Sequence, residues 1–197
     1  PLYNTAGELR SMAYISEKGK TSIAKGTEGE AKKCAHFDNK AVEKAAVVTF
    51  AVGLANSATI SQAHNDKNMA MVTAIKDSDL PTLTAAFKQA YPDKQQVIFA
   101  TNDHAYEKES GRNPGQYYAK QAAEKTGALV VSPRFAATET TKDFTNFNDL
   151  AMKSEYGKEA VKEQTEGTVE KAKKLAAENA KEQKQEKSRG NKELARG

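Results

Sequence analysis

Four aspartates and one histidine stand where a chain of this kind would do chemistry. Asp77 and Asp79 follow one short apolar run, residues 69–75, and Asp103 and His104 follow another, residues 96–100, while Asp149 stands where a helix-like segment begins. Carboxylates gathered from several strand ends hold hard divalent cations, which neutralise charge on a reacting phosphate. A histidine beside such a carboxylate has the chemistry of a general base or of a phosphate contact. Lys108, Arg112 and the glycine-bearing loop 110–115 add cations ahead of a helix start, an arrangement that binds anions. The same residues have structural uses: acids after a strand close turns and cap helices, a loop histidine faces solvent, and Asn113-Pro114-Gly115 forms a turn or helix cap. The pair Cys34 and His36 has the elements of a metal site or of a nucleophile with its base. Its structural alternative is a small residue and a ring on an irregular hairpin. Cys34 is the only cysteine, which excludes an internal disulfide and a cysteine-built zinc cluster. The histidines at 36, 64 and 104 have no close metal-ligand spacing.

The elements that position these groups are short apolar runs alternating with helix-length segments. Residues 45–52, 69–75, 96–100 and 128–131 read as strands buried on both faces, and residues 54–64, 80–91 and 116–126 read as helices. Pro81 suits a first helical turn, with Leu83, Phe87, Ala90 and Tyr91 spaced along one face. This alternation predicts a three-layer α/β unit with a mainly parallel sheet flanked by helices. In that architecture ligands gather beyond the C-terminal ends of strands, where Gly53, Asp77, Asp79, Asn102 and Asp103 fall, with Asp149 a further candidate. Two alternating stretches around the turn 16–19 predict an N-terminal β-hairpin, whereas residues 26–42 hold no period and residues 134–145 read as loop. The expected organisation is a hairpin and connecting region over 1–42, an α/β domain over 43–150, and a helical or partly disordered arm over 151–197.

Charge separates the arm from the body. The chain has 197 residues and a formal net charge of +4, with a pI near 9.0 and a mean hydropathy of -0.74. Residues 1–150 hold 18 Lys/Arg and 17 Asp/Glu, whereas residues 151–197 hold 12 Lys/Arg and 9 Asp/Glu. The basic pI is therefore a property of the arm. Its Ala, Glu, Lys and Gln content favours helix over 151–166 and 168–187. The apolar stripe is small in volume, which predicts a single exposed helix or a partly disordered tail. Lys171, Lys173, Lys174 and the cluster 181–196 are candidate phosphate contacts, although interleaved glutamates dilute the field and no aromatic residue follows Tyr156 to stack on bases. No apolar run approaches the roughly 20 residues that span a membrane, and no signal-peptide pattern opens the chain. The expectation is a cytoplasmic protein without membrane insertion, and the start at Pro1 reads as that of an excised fragment.

Several stretches together resemble the toprim domain of plasmid and phage DNA primases, also found attached to conjugative relaxases. The opening, around Gly7-Glu8-Leu9-Arg10-Ser11 and Gly19-Lys20-Thr21, resembles the hairpin region that precedes this domain. The strand-to-helix turn Thr49-Phe50-Ala51-Val52-Gly53-Leu54-Ala55-Asn56 is the first core motif. Val97-Ile98-Phe99-Ala100-Thr101-Asn102-Asp103-His104 follows, with Gly111-Arg112-Asn113-Pro114-Gly115. Pro133-Arg134-Phe135, Asp143-Phe144 and Asn146-Phe147-Asn148-Asp149-Leu150 complete a likeness spanning residues 1–150. The resemblance implies magnesium-dependent phosphoryl chemistry, but the acidic pattern departs from it. Val52 stands where the family has its glutamate, and Thr101 replaces one of the paired aspartates, leaving Asp103. Asn146 occupies a position that is commonly acidic. Valine cannot ligate a metal or move a proton. The leading expectation is a non-catalytic domain of a plasmid transfer (relaxase) or primase protein, without a cofactor. It would act as a scaffold or as a contact for DNA, bound directly or through the parent protein, or for conjugation machinery. The alternative is a divergent magnesium-dependent primase or DNA-processing enzyme in which Asp77, Asp79 or Asp149 joins Asp103.

Overall fold

A computed structural model of the chain describes residues 1–17 and 19–194. At the N-terminus β1 (Leu2–Tyr3) pairs antiparallel with β2 (Leu9–Ser11), and β3 (Ala13–Ile15) forms the expected hairpin with β4 (Thr21–Ile23). Two short helices follow, α1 (Glu28–Ala31) and α2 (Asn39–Lys44), in the stretch that shows no period. Asp38 caps α2, its carboxylate accepting from the Lys40 and Ala41 amides. An antiparallel bridge between His36 and Thr73 seats this region along one edge of the main sheet. Edge-to-face contacts from Tyr3 to Phe37, Phe37 to Phe87 and Phe87 to Phe50 carry it into the core.

The main body runs β5 (Val47–Val52), α3 (Leu54–His64), β6 (Met69–Ala74), α4 (Leu80–Ala90), β7 (Gln95–Phe99), α5 (His104–Ser110), α6 (Pro114–Thr126) and β8 (Leu129–Val131). Two more helices close the chain, α7 (Phe147–Met152) and α8 (Glu159–Leu194). The four strands form one parallel sheet in the order β6-β5-β7-β8. Successive side chains in a strand point to opposite faces, so both faces of β5 and β7 must be covered. Val48, Phe50, Val72 and Ile98 pack against Val42 of α2, Leu83 and Phe87 of α4, and Ala119 and Ala122 of α6. Val47, Ala51, Val97 and Phe99 pack on the other face against Ile60, Phe147, Leu150, Val161 and Val169, from α3, α7 and α8. The step from β5 to β6 passes through α3. The step back across β5 to β7 passes through α4 on the opposite face, as right-handed crossovers require when direction reverses. That reversal opens a crevice beyond the C-terminal ends of β5 and β7, the strands that Gly53, Thr101 and Asp103 follow.

The C-terminal region differs from the expected exposed helix or tail. Instead of two helical stretches, one helix of 36 residues continues through Gly167. Ala160, Val161, Val169, Ala172 and Ala176 are buried among the residues that cover the second face of the sheet. Small side chains do not prevent this burial. They let the helix approach a face already filled by Phe99 and Phe147, whose rings meet edge to face at 5.9 Å. Three residues fasten the helix by polar contacts: His64 Nε2 lies 2.8 Å from Thr165 Oγ1, Lys173 Nζ lies 2.6 Å from Asp66 Oδ2, and Gln164 exchanges hydrogen bonds of 2.8 and 2.9 Å with the Arg134 amide and carbonyl. Replacing Val169 by Ala removes two buried methylene equivalents and is expected to cost about 2 kcal/mol. The exposed Lys174→Ala should stay within about 0.5 kcal/mol. Urea unfolding of the two variants reads the difference, and equal midpoints would remove α8 from the core.

Candidate functional site

The crevice begins where β5 turns into α3. Gly53 has φ +86°, a conformation that side-chain-bearing residues rarely adopt, and it is the N-cap of α3. Its amide donates to the Ala74 carbonyl at 3.0 Å, tying the turn to the end of β6. Val52, the last residue of β5, is half-buried. Asn56, one turn into α3, donates to the Val52 carbonyl and accepts from the Phe147 amide at 3.0 Å. The amide side chain thus joins α3 to α7 across the floor of the crevice.

The end of β7 is joined closely to α6. A Cβ on Gly115 would fall 1.9 Å from Thr101 Oγ1 and 2.7 Å from the Thr101 carbonyl oxygen, so only glycine permits this approach. Thr101 donates its hydroxyl to Asp77 Oδ1 at 2.7 Å. Asp103 Oδ2 accepts from the Gly115 amide at 2.8 Å, and the Asp103 amide donates to Asn113 Oδ1 at 3.1 Å. The carboxylate therefore occupies the first turn of α6, where an external anion would otherwise bind. Asn113 caps the same helix through the Gln116 amide. Asn102 Oδ1 accepts from Asn113 Nδ2 at 2.9 Å and from Gln116 Nε2 at 3.0 Å, while Asn102 Nδ2 donates to the Pro133 carbonyl. Sequence reasoning placed Asn102 at a strand end and Asn113 in a cap but did not show that Gln116 joins them. Amide networks have no periodicity to reveal them.

The remaining candidates are dispersed. Asp79 is buried in a shallow pocket with Ile23, Lys32 and Lys76. Burial pushes its carboxyl above the usual aspartate range, opposed by the Lys76 amide and by the charges of Lys76 and Lys32. Asp149 accepts from the Thr145 amide at 3.0 Å and from Lys153 Nζ at 2.6 Å, and its own amide is capped by Asn146. Both ring nitrogens of His104 face carbonyl oxygens, of Asn102 at 3.3 Å and of Glu139 at 3.1 Å, and its ring lies 5.0 Å from that of Phe135. It bridges two loops instead of facing solvent. Among the described residues, no three of His, Cys, Asp and Glu converge closely enough to hold a cation. The four aspartates do not reassemble the set that the toprim likeness implies, and Val52 and Thr101 do not fit a magnesium centre.

Lys108 and Arg112 are exposed on α5 and the following turn, and no ion pair engages either among the described residues. Helix α5 was hidden in the sequence because it buries no residue and so shows no apolar period. Lys171 and Lys174 are exposed on α8, whereas Lys173 is held by Asp66 and Glu170 within the chain. Of the lysine cluster, side chains 183–196 lie outside the described residues. Cys34 is 1% exposed and packs with Leu2 and Ala31. Burial pushes its thiol up, which favours the structural reading of the Cys34–His36 pair. Glu139, missed in the loop 134–145, is buried and accepts from the Ala136 amide, the Ser154 hydroxyl and the Glu155 amide. The Ser154 hydroxyl leads in holding its carboxyl below the usual glutamate range.

No protein-family model matches the chain, and no solved structure matches it. Two curated proteins, each a DNA primase TraC of Escherichia coli, are similar to it. One is 30% identical over 141 residues, which cover 71% of this chain and 13% of that protein. The other is 30% identical over 145 residues, covering 72% of this chain and 10% of that protein. The chain thus corresponds to a small segment of these much longer relatives.

Two outcomes follow from the geometry. Gly115→Ala forces Thr101 and α6 apart and is expected to destabilise the fold by about 1–3 kcal/mol, read by thermal or urea unfolding. Asp77 is shifted by burial, which raises its carboxyl above the usual range, with the Thr101 hydroxyl opposing and the Asp103 charge reinforcing. A raised folded-state carboxyl binds its proton more tightly than the unfolded chain does. Its stabilising contribution is present below the ordinary aspartate range, about pH 4, and is lost as pH rises through the raised value. Asp77→Asn keeps an acceptor for Thr101, so the variant should gain on the parent protein between about pH 4 and pH 7. Melting temperatures that run parallel across that window would contradict this.

Proposed function

We propose that this chain is a toprim-type domain of a DNA-processing protein of the primase or relaxase kind, serving as a scaffold and DNA or protein contact without being its catalytic centre. One observation carries the reading: the carboxylate of Asp103, the retained acid of the motif, is engaged by the first turn of α6. Val52 and Thr101 in place of acidic partners support it, as does the dispersal of Asp79 and Asp149 into separate structural contacts. The similarity to DNA primase TraC supports the DNA-processing context, in a cytoplasmic protein of plasmid transfer or replication with the conjugation machinery as a further partner. DNA contact in this reading is electrostatic and uses exposed cations, Lys108 and Arg112 beside the crevice and Lys171 and Lys174 on α8.

A second reading rests on Asp77 and Asp103, which are close enough for the charge of one to push up the other. In that case the domain is a divergent magnesium-dependent enzyme, with further oxygen ligands coming from its substrate. Calorimetric titration of the 197-residue chain with magnesium and manganese, alone and with single-stranded DNA, separates the two readings. The scaffold reading expects no saturable site. A stoichiometric site abolished by Asp103→Ala would overturn it in favour of the enzyme. DNA affinity measured at two salt concentrations should fall with salt, and Lys171→Ala/Lys174→Ala should weaken binding and flatten the salt slope. Salt-insensitive binding would remove the phosphate-contact role.

A further inference from the structure

The two edges of the parallel sheet are treated differently. Beyond β6, the chain bridges the edge near its C-terminal end, where His36 and Thr73 exchange amide-to-carbonyl hydrogen bonds of 3.0 and 2.8 Å. Beyond β8 no strand follows among the described residues. In a parallel pair a residue directs its amide and carbonyl to the same side. The Val131 carbonyl accepts from Ala100, toward β7, so the Val130 amide and carbonyl point to the free edge. Neither takes part in a backbone hydrogen bond outside the sheet among the described residues. Such an edge is a template for another strand.

Beside this edge runs an open groove of about 510 Å³. One wall is the outer flank of α6, with Gln116, Tyr117, Lys120, Ala123 and Glu124 at helical spacing, and the other is the Val130 face of β8. Val130 is 40% exposed and Tyr117 58%. The helix flank and the uncovered edge thus line the same groove. Lys120 and Glu124 stand one turn apart on the flank, exposed, and enter no ion pair among the described residues. This pattern is complementary to itself when reversed.

The geometry points to a second copy of this chain as the occupant: β8 pairs antiparallel with β8 of the copy across a two-fold axis, giving one continuous eight-stranded sheet. The axis passes beside Val130, whose amide and carbonyl exchange hydrogen bonds with their symmetry mates. The same axis places the two α6 helices side by side and antiparallel, with Lys120 of each facing Glu124 of the other. The two-fold contact uses the β8 edge of both copies, so pairing through that edge closes at two.

Light scattering coupled to size exclusion, on the 197-residue chain from about 1 to 200 μM, tests this assignment against the affinities typical of modest interfaces. The mass should rise toward twice the monomer value with concentration. Val130→Pro removes an amide that the monomer does not use in its own sheet, so it should hold the mass at the monomer value while circular dichroism stays native. Lys120→Glu should raise the midpoint concentration at least tenfold, and Lys120→Glu with Glu124→Lys should restore it. A monomer at every concentration would overturn the proposal. So would a dimer whose midpoint ignores both the proline and the charge reversal.

Discussion

Burial on both faces of the β5–β7 pair is the constraint to which the rest of the molecule answers. A parallel strand pair with Val47, Ala51, Val97 and Phe99 on one side and Val48, Phe50 and Ile98 on the other leaves no solvent-facing side. Helices α4 and α6, with α2, close the first face using large residues, Leu83 and Phe87 foremost. The second face has α3 and the six-residue α7, and these two do not suffice. Helix α8 completes it. A segment with the composition of a solvated tail is a structural layer, because its small residues occur at the spacing that the remaining gap requires.

The same packing determines what the crevice can do. Bringing α6 onto the end of β7 demands Gly115, and it directs the first amides of that helix at Asp103 and Asn113. An acid in this position neutralises a helix terminus. Asp77 and Asp149 are likewise held by Thr101 and by Lys153 with Thr145. Three of the four carboxylates that sequence spacing marked as ligands, Asp77, Asp103 and Asp149, accept hydrogen bonds from the protein itself, while Asp79 is buried apart from them. At the topological switch point Asp77 and Asp103 secure the surrounding loops.

The core strands and most helices were legible because period and length agree. Strands β5 to β8 fall on the four apolar runs, and α3 and α4 on the helical segments, within a residue or two. The short helices α1, α2 and α5 escaped because four to seven residues carry too little periodicity. The burial of α8 escaped for another reason: its small side chains fill a face only opposite large partners such as Phe99 and Phe147, which lie far away in the sequence. At the site, spacing located Asp77, Asp103 and Gly115 at the ends of elements. It did not reveal their hydrogen-bond partners, since Asp103–Gly115 and Thr101–Asp77 join residues from different elements. Glu139 lay in a stretch read as loop, and only its three donors mark it as structural.

The position of α8 also sets the order in which the protein can mature. During synthesis the strands β5 to β8 leave the ribosome before residues 160–176 do. A sheet that forms at this stage has α3 and α7 over the face bearing Ala51, Val97 and Phe99 but still lacks the cover that α8 adds. That interval presents an apolar surface to the cell, and chaperone demand should concentrate there. Helix α8 acts as a latch that ends this vulnerable stage by completing the cover of that face.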